Sequence, residues 1–202
     1  DTYTLPAPRL LSQDRVALGG GNDFIDGGLG NDFIAGQPGD DVLYGGEGND
    51  IIYGDDAVSM GEANPEGDDW LFAGAGQDKL FGGGGNDWLN ANDDDKQLDT
   101  LYGGGGYDLL IGGTGHDELY GEDGDDELQA GSDGSKLYGG NGSDLLFGDA
   151  GNDRLDGGDG DDWLVSSAGV DDLYGGTGAD RFLFSIYDLF DDAMTSTVRD
   201  AD

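Results

Sequence analysis

A nine-residue unit, written seventeen times between Leu18 and Leu183, leaves this chain little freedom in what it can fold into. Gly27 to Ala35 reads GGLGNDFIA, Gly45 to Tyr53 reads GGEGNDIIY and Gly139 to Phe147 reads GGNGSDLLF. Further copies are GGGGNDWLN from Gly82, GGTGHDELY from Gly112, GDAGNDRLD from Gly148 and GGTGADRFL from Gly175. The eighth position holds Ile25, Ile34, Leu43, Ile52, Leu71, Leu80, Leu89, Leu101, Leu110, Leu119, Leu128, Leu137, Leu146, Leu155, Leu164, Leu173 and Phe182, all apolar. The sixth holds Asp23, Asp32, Asp41, Asp50, Asp69, Asp78, Asp87, Asp99, Asp108, Asp117, Asp126, Asp144, Asp153, Asp162, Asp171 and Asp180, and only Ser135 breaks that series. A period of this kind marks a solenoid, in which each repeat buries its apolar face against its neighbours.

The residue types suit a hard cation. Glycines at positions one, two and four permit positive φ and close backbone packing, which turns carbonyl oxygens toward a common point. Aspartate at position six adds a charged oxygen. Calcium takes six to eight such oxygens in flexible geometry, whereas magnesium demands a stricter octahedron and keeps its water. Position eight supplies one large side chain per repeat, about 1.5–3 kcal/mol of burial. The same nine residues cost about 1–2 kcal/mol each in backbone entropy. The apolar ladder alone is therefore too thin, and folding is expected to be coupled to ion binding.

The consensus GGxGxDxUx, with U a large aliphatic, resembles the RTX (hemolysin-type) calcium-binding nonapeptide repeat of exported bacterial proteins. Serralysin-like proteases, lipases, alginate epimerases and RTX toxins and adhesins carry it. The resemblance implies an all-β, right-handed parallel β-roll with two repeats per coil, GGxGxD as turn and xUx as strand. It places calcium between turns n and n+2, held by both position-six aspartates: Asp23 with Asp41, Asp32 with Asp50, Asp108 with Asp126, Asp144 with Asp162. All sixteen aspartates above are then metal ligands. The backbone carbonyls would come from Gly27, Gly28, Gly30, Gly45, Gly46 and Gly48, and from Gly82, Gly83, Gly85, Gly103, Gly104 and Gly106. Later copies would add Gly112, Gly113, Gly115, Gly139, Gly140, Gly142, Gly157, Gly158, Gly160, Gly175, Gly176 and Gly178. Seventeen turns so stacked offer fifteen gaps; Ser135 weakens two and an insertion before Asp99 two more, leaving roughly eleven or more ions. The resemblance further implies a secreted, extracellular protein, exported unfolded by a type I system and folding on meeting calcium outside. Extracellular calcium modules work at about 10⁻⁴–10⁻³ M.

Composition agrees. Glycine is 43 of 202 residues, and 45 acidic against 8 basic residues give a formal charge of −37. Such a chain is disordered unless its carboxylates are neutralised. It repels nucleic acid and anionic lipid. It has no cysteine. No stretch has the length of a transmembrane helix, and the opening DTYTLPAPRL lacks the pattern of a secretory signal. A start at Asp1 suggests a fragment of a longer chain.

The organisation expected along the chain is an N-terminal cap or linker over residues 1–17, a β-roll over 18–183, and a C-terminal cap over 184–202 that is cut short. The roll carries turn insertions near 57–66 and 91–98. Ser185 caps an expected short helix through Met194, and TSTVRDAD looks like the start of another strand.

The fragment carries no HExxH, GxSxG or Cys–His arrangement. His116 is the only histidine and sits in an ordinary turn. The fragment itself is therefore expected not to be an enzyme, although the parent chain of such a segment can be a hydrolase or epimerase. A second class is a structural or adhesive repeat of an adhesin or S-layer protein. Ice binding is disfavoured by the lack of Thr ranks, and polyanion binding by the lack of a basic stripe. Odd and even repeats are expected on opposite sheets. The odd sheet would present Phe24, Val42, Tyr44, Trp70, Phe72, Trp88, Leu109, Ile111, Leu145, Phe147, Trp163 and Val165, a surface for a flanking domain or a second copy.

Overall fold

In the computed structural model, residues 2–4, 14–55, 67–91, 96–184 and 197–199 are described. Among them every regular element is a strand, and the strands form two parallel ten-stranded sheets. The first sheet runs β1 (Thr2–Thr4), β3 (Phe24–Leu29), β5 (Val42–Glu47), β7 (Trp70–Ala75), β9 (Trp88–Asn90), β11 (Leu109–Ile111), β13 (Glu127–Gln129), β15 (Leu145–Phe147), β17 (Trp163–Ser166), β19 (Arg181–Phe184). The second runs β2 (Arg15–Ala17), β4 (Phe33–Ala35), β6 (Ile51–Tyr53), β8 (Lys79–Gly84), β10 (Thr100–Gly105), β12 (Glu118–Asp123), β14 (Lys136–Asn141), β16 (Arg154–Asp159), β18 (Asp172–Thr177), β20 (Thr197–Arg199). The chain thus alternates between sheets at every repeat, and two repeats make one coil of a β-solenoid.

The alternation follows from the pattern of side chains. Within each strand the position-eight residue points inward, and Ile25 through Leu173 are all fully buried in one continuous core between the sheets. Phe182 is only partly buried, because it lies in the last described strand of its sheet. Parallel pairing at fixed register stacks like on like: Leu101 lies beside Leu119, and Leu119 beside Leu137.

Nine of the strands run to six residues instead of the expected three. From β3 to β18, many continue through the Gly–Gly pair of the following repeat, with Gly28 beside Gly46 and Gly140 beside Gly158. The true turn in those coils is only positions four to six. Glycine φ values explain it: position two is positive (Gly28 +92°, Gly104 +118°) and so is position four (Gly30 +118°, Gly106 +136°), but Gly27 and Gly103 are not. The expected role of glycine at position one is therefore corrected: it is close approach, not positive φ.

The residue spacing between paired strands is 18 for most of the roll, as Leu119 beside Leu137 shows. Val42 pairs with Trp70 and Ile51 with Lys79, so both sheets resume in register after the insertion that precedes Gly67. The same holds where Lys79 pairs with Thr100 and Trp88 with Leu109. Residues 57–66 themselves lie outside the described set, as does the helix expected over Ser185–Met194. The segment expected as a cap or linker, residues 1–17, contains the first strand of each sheet, with Val16 buried in the core. At the other end Thr197–Arg199 is a strand paired with β18.

The outer faces differ. On the second sheet Tyr53, Phe81, Tyr102, Tyr120 and Tyr138 stack in one row, centroids 4.7–4.9 Å apart and planes within 8°. Asp156 interrupts that row, and the Arg154 guanidinium fills the gap. It donates to Asp156 at 3.0 Å and lies over the rings of Tyr138 and Tyr174 at 5.7 and 4.6 Å.

Replacing Leu128 by Ala at the centre of the core should cost about 2–5 kcal/mol, read as a shift in urea midpoint with calcium present. Arg154→Ala should cost about 0.5–1 kcal/mol, because its ring contacts are exposed.

Candidate metal sites

Each position-six aspartate is fixed by the coil before it. The amide of Asp23 donates to Asp41 Oδ1 at 2.7 Å, Asp32 to Asp50 at 2.7 Å, Asp108 to Asp126 at 2.8 Å and Asp144 to Asp162 at 2.9 Å. The expected pairs are thus neighbours, joined through one carboxylate oxygen and one backbone N–H. The bond repeats up both edges, including across the insertions, where Asp41 donates to Asp69 and Asp78 to Asp99 at 2.7 Å each.

The second oxygen has a different fate. Oδ2 of Asp32, Asp41, Asp50, Asp69, Asp87, Asp108, Asp126, Asp144, Asp153, Asp162 and Asp180 is buried and accepts no hydrogen bond. Leaving a charged oxygen in that state costs several kcal/mol unless something neutralises it. Each points back into its own turn. A Cβ placed on Gly82 would lie 2.3 Å from Asp87 Oδ2 and 2.6 Å from the carbonyl oxygen of Gly103, in the next coil. Gly121 shows the same pair, Asp126 Oδ2 at 2.4 Å and Gly139 O at 2.6 Å, and Gly157 repeats it with Asp162 and Gly175. Position one must be glycine there because a carboxylate oxygen and a carbonyl oxygen share the space.

The carbonyls expected as ligands fall into three groups. Those of position one, such as Gly45, Gly103, Gly139, Gly157 and Gly175, converge with Oδ2. Those of position four point along the roll onto the next glycine: Gly30 O lies 1.9 Å from a Cβ built on Gly48, and Gly142 O 1.8 Å from one on Gly160. Position two does likewise at Gly28, Gly46, Gly83, Gly140 and Gly158. Some of these oxygens also serve the sheet: Gly82 O accepts from Asp55 N and Gly113 O from Ser132 N. A carbonyl keeps a second lone pair after such a bond. Gly112 and Gly115 face Ala130 O and Gln97 O instead of glycine carbonyls. An oxygen set of this composition, charged and neutral together, fits calcium.

Burial drives the carboxyls upward. Desolvation first, with neighbouring aspartates adding to it, holds Asp69, Asp87 and Asp153 up at about 8, against the amide bonds that pull down. Asp50, Asp108 and Asp144 stand at about 7, and Asp41, Asp126 and Asp162 at about 6.

Two features are invisible in the consensus. Position five forms its own exposed ladder running the opposite way: Asn49 N donates to Asn31 Oδ1, Gln77 N to Asn49 Oδ1 and Tyr107 N to Asn86 Oδ1, at 2.9–3.1 Å. The recurrence of Asn and Asp at that position was the available signal. The other is Ser166, at position one of its repeat, whose hydroxyl donates to Asp171 Oδ2 at 2.5 Å. His116 is exposed, with Nδ1 at 2.6 Å from Gly134 O.

Compared with known families, the sequence matches the profile described as RTX calcium-binding nonapeptide repeat (4 copies). The matched segments are 13–34, 26–57, 66–95, 98–128, 120–155, 130–164, 138–171 and 147–182. No curated protein matches the chain.

Without metal, lower pH should favour the fold. The raised carboxyls contribute stability that is complete below about pH 4, the unfolded value, and lost as pH rises through about 6 to 8. In chelator, far-UV circular dichroism should show more strand at about pH 5.5 than at about pH 8. An unchanged spectrum would count against buried carboxylates as the destabilising groups.

Proposed function

Because the chain belongs to the RTX calcium-binding nonapeptide repeat family, we propose that it is a calcium-binding module of a secreted protein, disordered without the ion and folded with it. The observation that carries this reading is the row of buried Oδ2 atoms, which from Asp87 to Asp162 on one edge each face a carbonyl of the next coil. Bound calcium supplies the positive charge that lets those oxygens stay ionised in a dry site. The chain's own residues do the rest: the Asp amides set the spacing of carboxylates, position-one glycines leave the space, and the position-eight ladder aligns the coils.

At low calcium the −37 formal charge holds the chain open by self-repulsion, the state a type I export channel requires. Outside the cell, calcium near 10⁻³ M closes it. All sixteen position-six aspartates serve as ligands in this reading, with carbonyls of positions one, two and four, and roughly eleven or more ions.

The module also displays or stabilises an attached partner through the first sheet, and a specific observation favours this. Its outward residues are apolar over many strands, with Trp70 at 48% and Trp163 at 42% exposure, whereas the second sheet presents Lys79, Glu118, Lys136 and Arg154 beside its closed aromatic row. A flanking domain of the parent chain or a second copy would cover it.

Circular dichroism should show a largely disordered chain in chelator and a cooperative gain of strand in millimolar calcium, with magnesium a poor substitute. Strand content in chelator at pH 8 equal to that in calcium would refute the reading. Calorimetry should give about eleven or more ions per chain, and two or three would refute the stacking of both edges. Changing Trp70, Trp88 and Trp163 together to Ser should leave calcium-induced folding intact while abolishing association seen by sedimentation; unchanged association would mean the first sheet is only surface.

A further inference from the structure

We infer that, from Gly82 onward, the two edges of the roll hold calcium unequally. The odd-numbered turns carry an unbroken ion ladder that sets the folding threshold, and the even-numbered turns are closed in part by the protein's own groups. The inference rests on the calcium reading above and adds where along the roll the ions matter.

On the odd edge the aspartates are Asp87, Asp108, Asp126, Asp144, Asp162 and Asp180, and every turn keeps glycine at positions one and four. All six Oδ2 atoms are buried without a hydrogen bond. A Cβ at position one would meet its own Asp Oδ2 at 2.2–2.4 Å in each of these turns. In five of the six, from Gly82 to Gly157, it would also meet the next coil's position-one carbonyl at 2.5–2.9 Å. Positions one to three of these turns lie in the sheet ladder, which fixes the carbonyls in a regular row.

The even edge departs from that description in several turns, although Asp153 Oδ2 is buried there without a hydrogen bond and Gly112 still faces the carbonyl of Ala130. Position one reads Ala91, Gly112, Ala130, Gly148 and Ser166, and position six loses its carboxylate at Ser135. Where glycine remains, at Gly112 and Gly148, the distance to Asp Oδ2 opens to 3.0 and 3.1 Å. Position four is no longer glycine at Gln97 and Asp133.

Protein groups stand in for charge and ligand there. Ser135 Oγ accepts from the amide of Asp117 at 3.1 Å, the bond a carboxylate makes elsewhere. The Lys96 ammonium lies 3.5 Å from Asp133. Ser166 donates to Asp171 Oδ2, both residues fully buried, which satisfies the same oxygen that lacks a partner six times on the other edge. Asp171 Oδ1 already takes the Asp153 amide, at 2.9 Å. Both oxygens of Asp171 are therefore held by protein, and the last described turn of this edge is sealed by a hydroxyl.

The test gives the odd edge the serine that the even edge already has. Asp126→Ser should raise the calcium concentration at half-folding, followed by circular dichroism, by about tenfold or more. Asp153→Ser, the even-edge counterpart, should raise it by less than about threefold. Equal shifts would overturn the inference, as would the larger shift in Asp153→Ser. Failure of Asp126→Ser to fold at any calcium level, with Asp153→Ser folding near the wild-type midpoint, agrees with it. A gain variant guards against simple damage: Ala130→Gly with Ser135→Asp restores the missing turn and should add one or two ions per chain by equilibrium dialysis. No added ion would overturn the assignment of these residues as closures. A wild-type chain whose folding ignores calcium would overturn the calcium reading first, and is seen before any variant is made.

Discussion

Every coil of this roll sets one carboxylate above another in a buried place, and the rest of the structure depends on how that stacking is tolerated. One oxygen of each aspartate is spent on the amide of the coil before it, as Asp126 is on Asp108. That bond fixes the coil spacing and, in turns such as that of Asp126, leaves the other oxygen in a dry site with a carbonyl beside it. Two negative groups at such separation repel, by roughly 1 kcal/mol even in water and more when buried. Under the proposed reading a divalent ion converts this repulsion into the attraction between coils, which is why the thin aliphatic ladder between the sheets suffices.

The glycines have two separate tasks. Positions two and four adopt positive φ and let the backbone of one coil lie directly on the next. Position one keeps an ordinary φ and is glycine because a side chain there would strike the carboxylate of its own turn. This separation explains why Ala73 and Ala130 are tolerated, fully buried, at position one without breaking the roll.

The two outer surfaces are finished differently. The second sheet satisfies itself: its aromatic rings stack in one row, Arg154 bridges the gap that Asp156 makes, and Lys136 meets Glu118 at 2.7 Å. On the first sheet the stacking is shorter, from Phe24 through Tyr44 and Phe72 to Trp88, and Trp70 and Trp163 remain well exposed. Parallel strands at constant register amplify any bias in position seven or nine into a whole face, which is how so small a repeat produces two unlike surfaces.

The repeat alone determined the period, the alternation of sheets, the identity of the core and the aspartates of the turns. Each depends on residues within nine of one another, so Leu128 and Asp126 were legible without any knowledge of what lies beside them. Tertiary structure decided the rest. The extension of strands through the glycine pairs, the choice of Oδ1 for the amide, and the opposed ladder at position five arise between residues 18 or more apart. So does the inequality of the edges, because turns that share an edge are separated in sequence by the whole opposite turn; the Ser166 closure lies within one repeat, yet only the fold turns its hydroxyl onto Asp171 Oδ2. A single consensus averages over both edges; only the stacking of alternate turns shows that the departures at Ala91, Ala130, Ser135 and Ser166 fall on the same one.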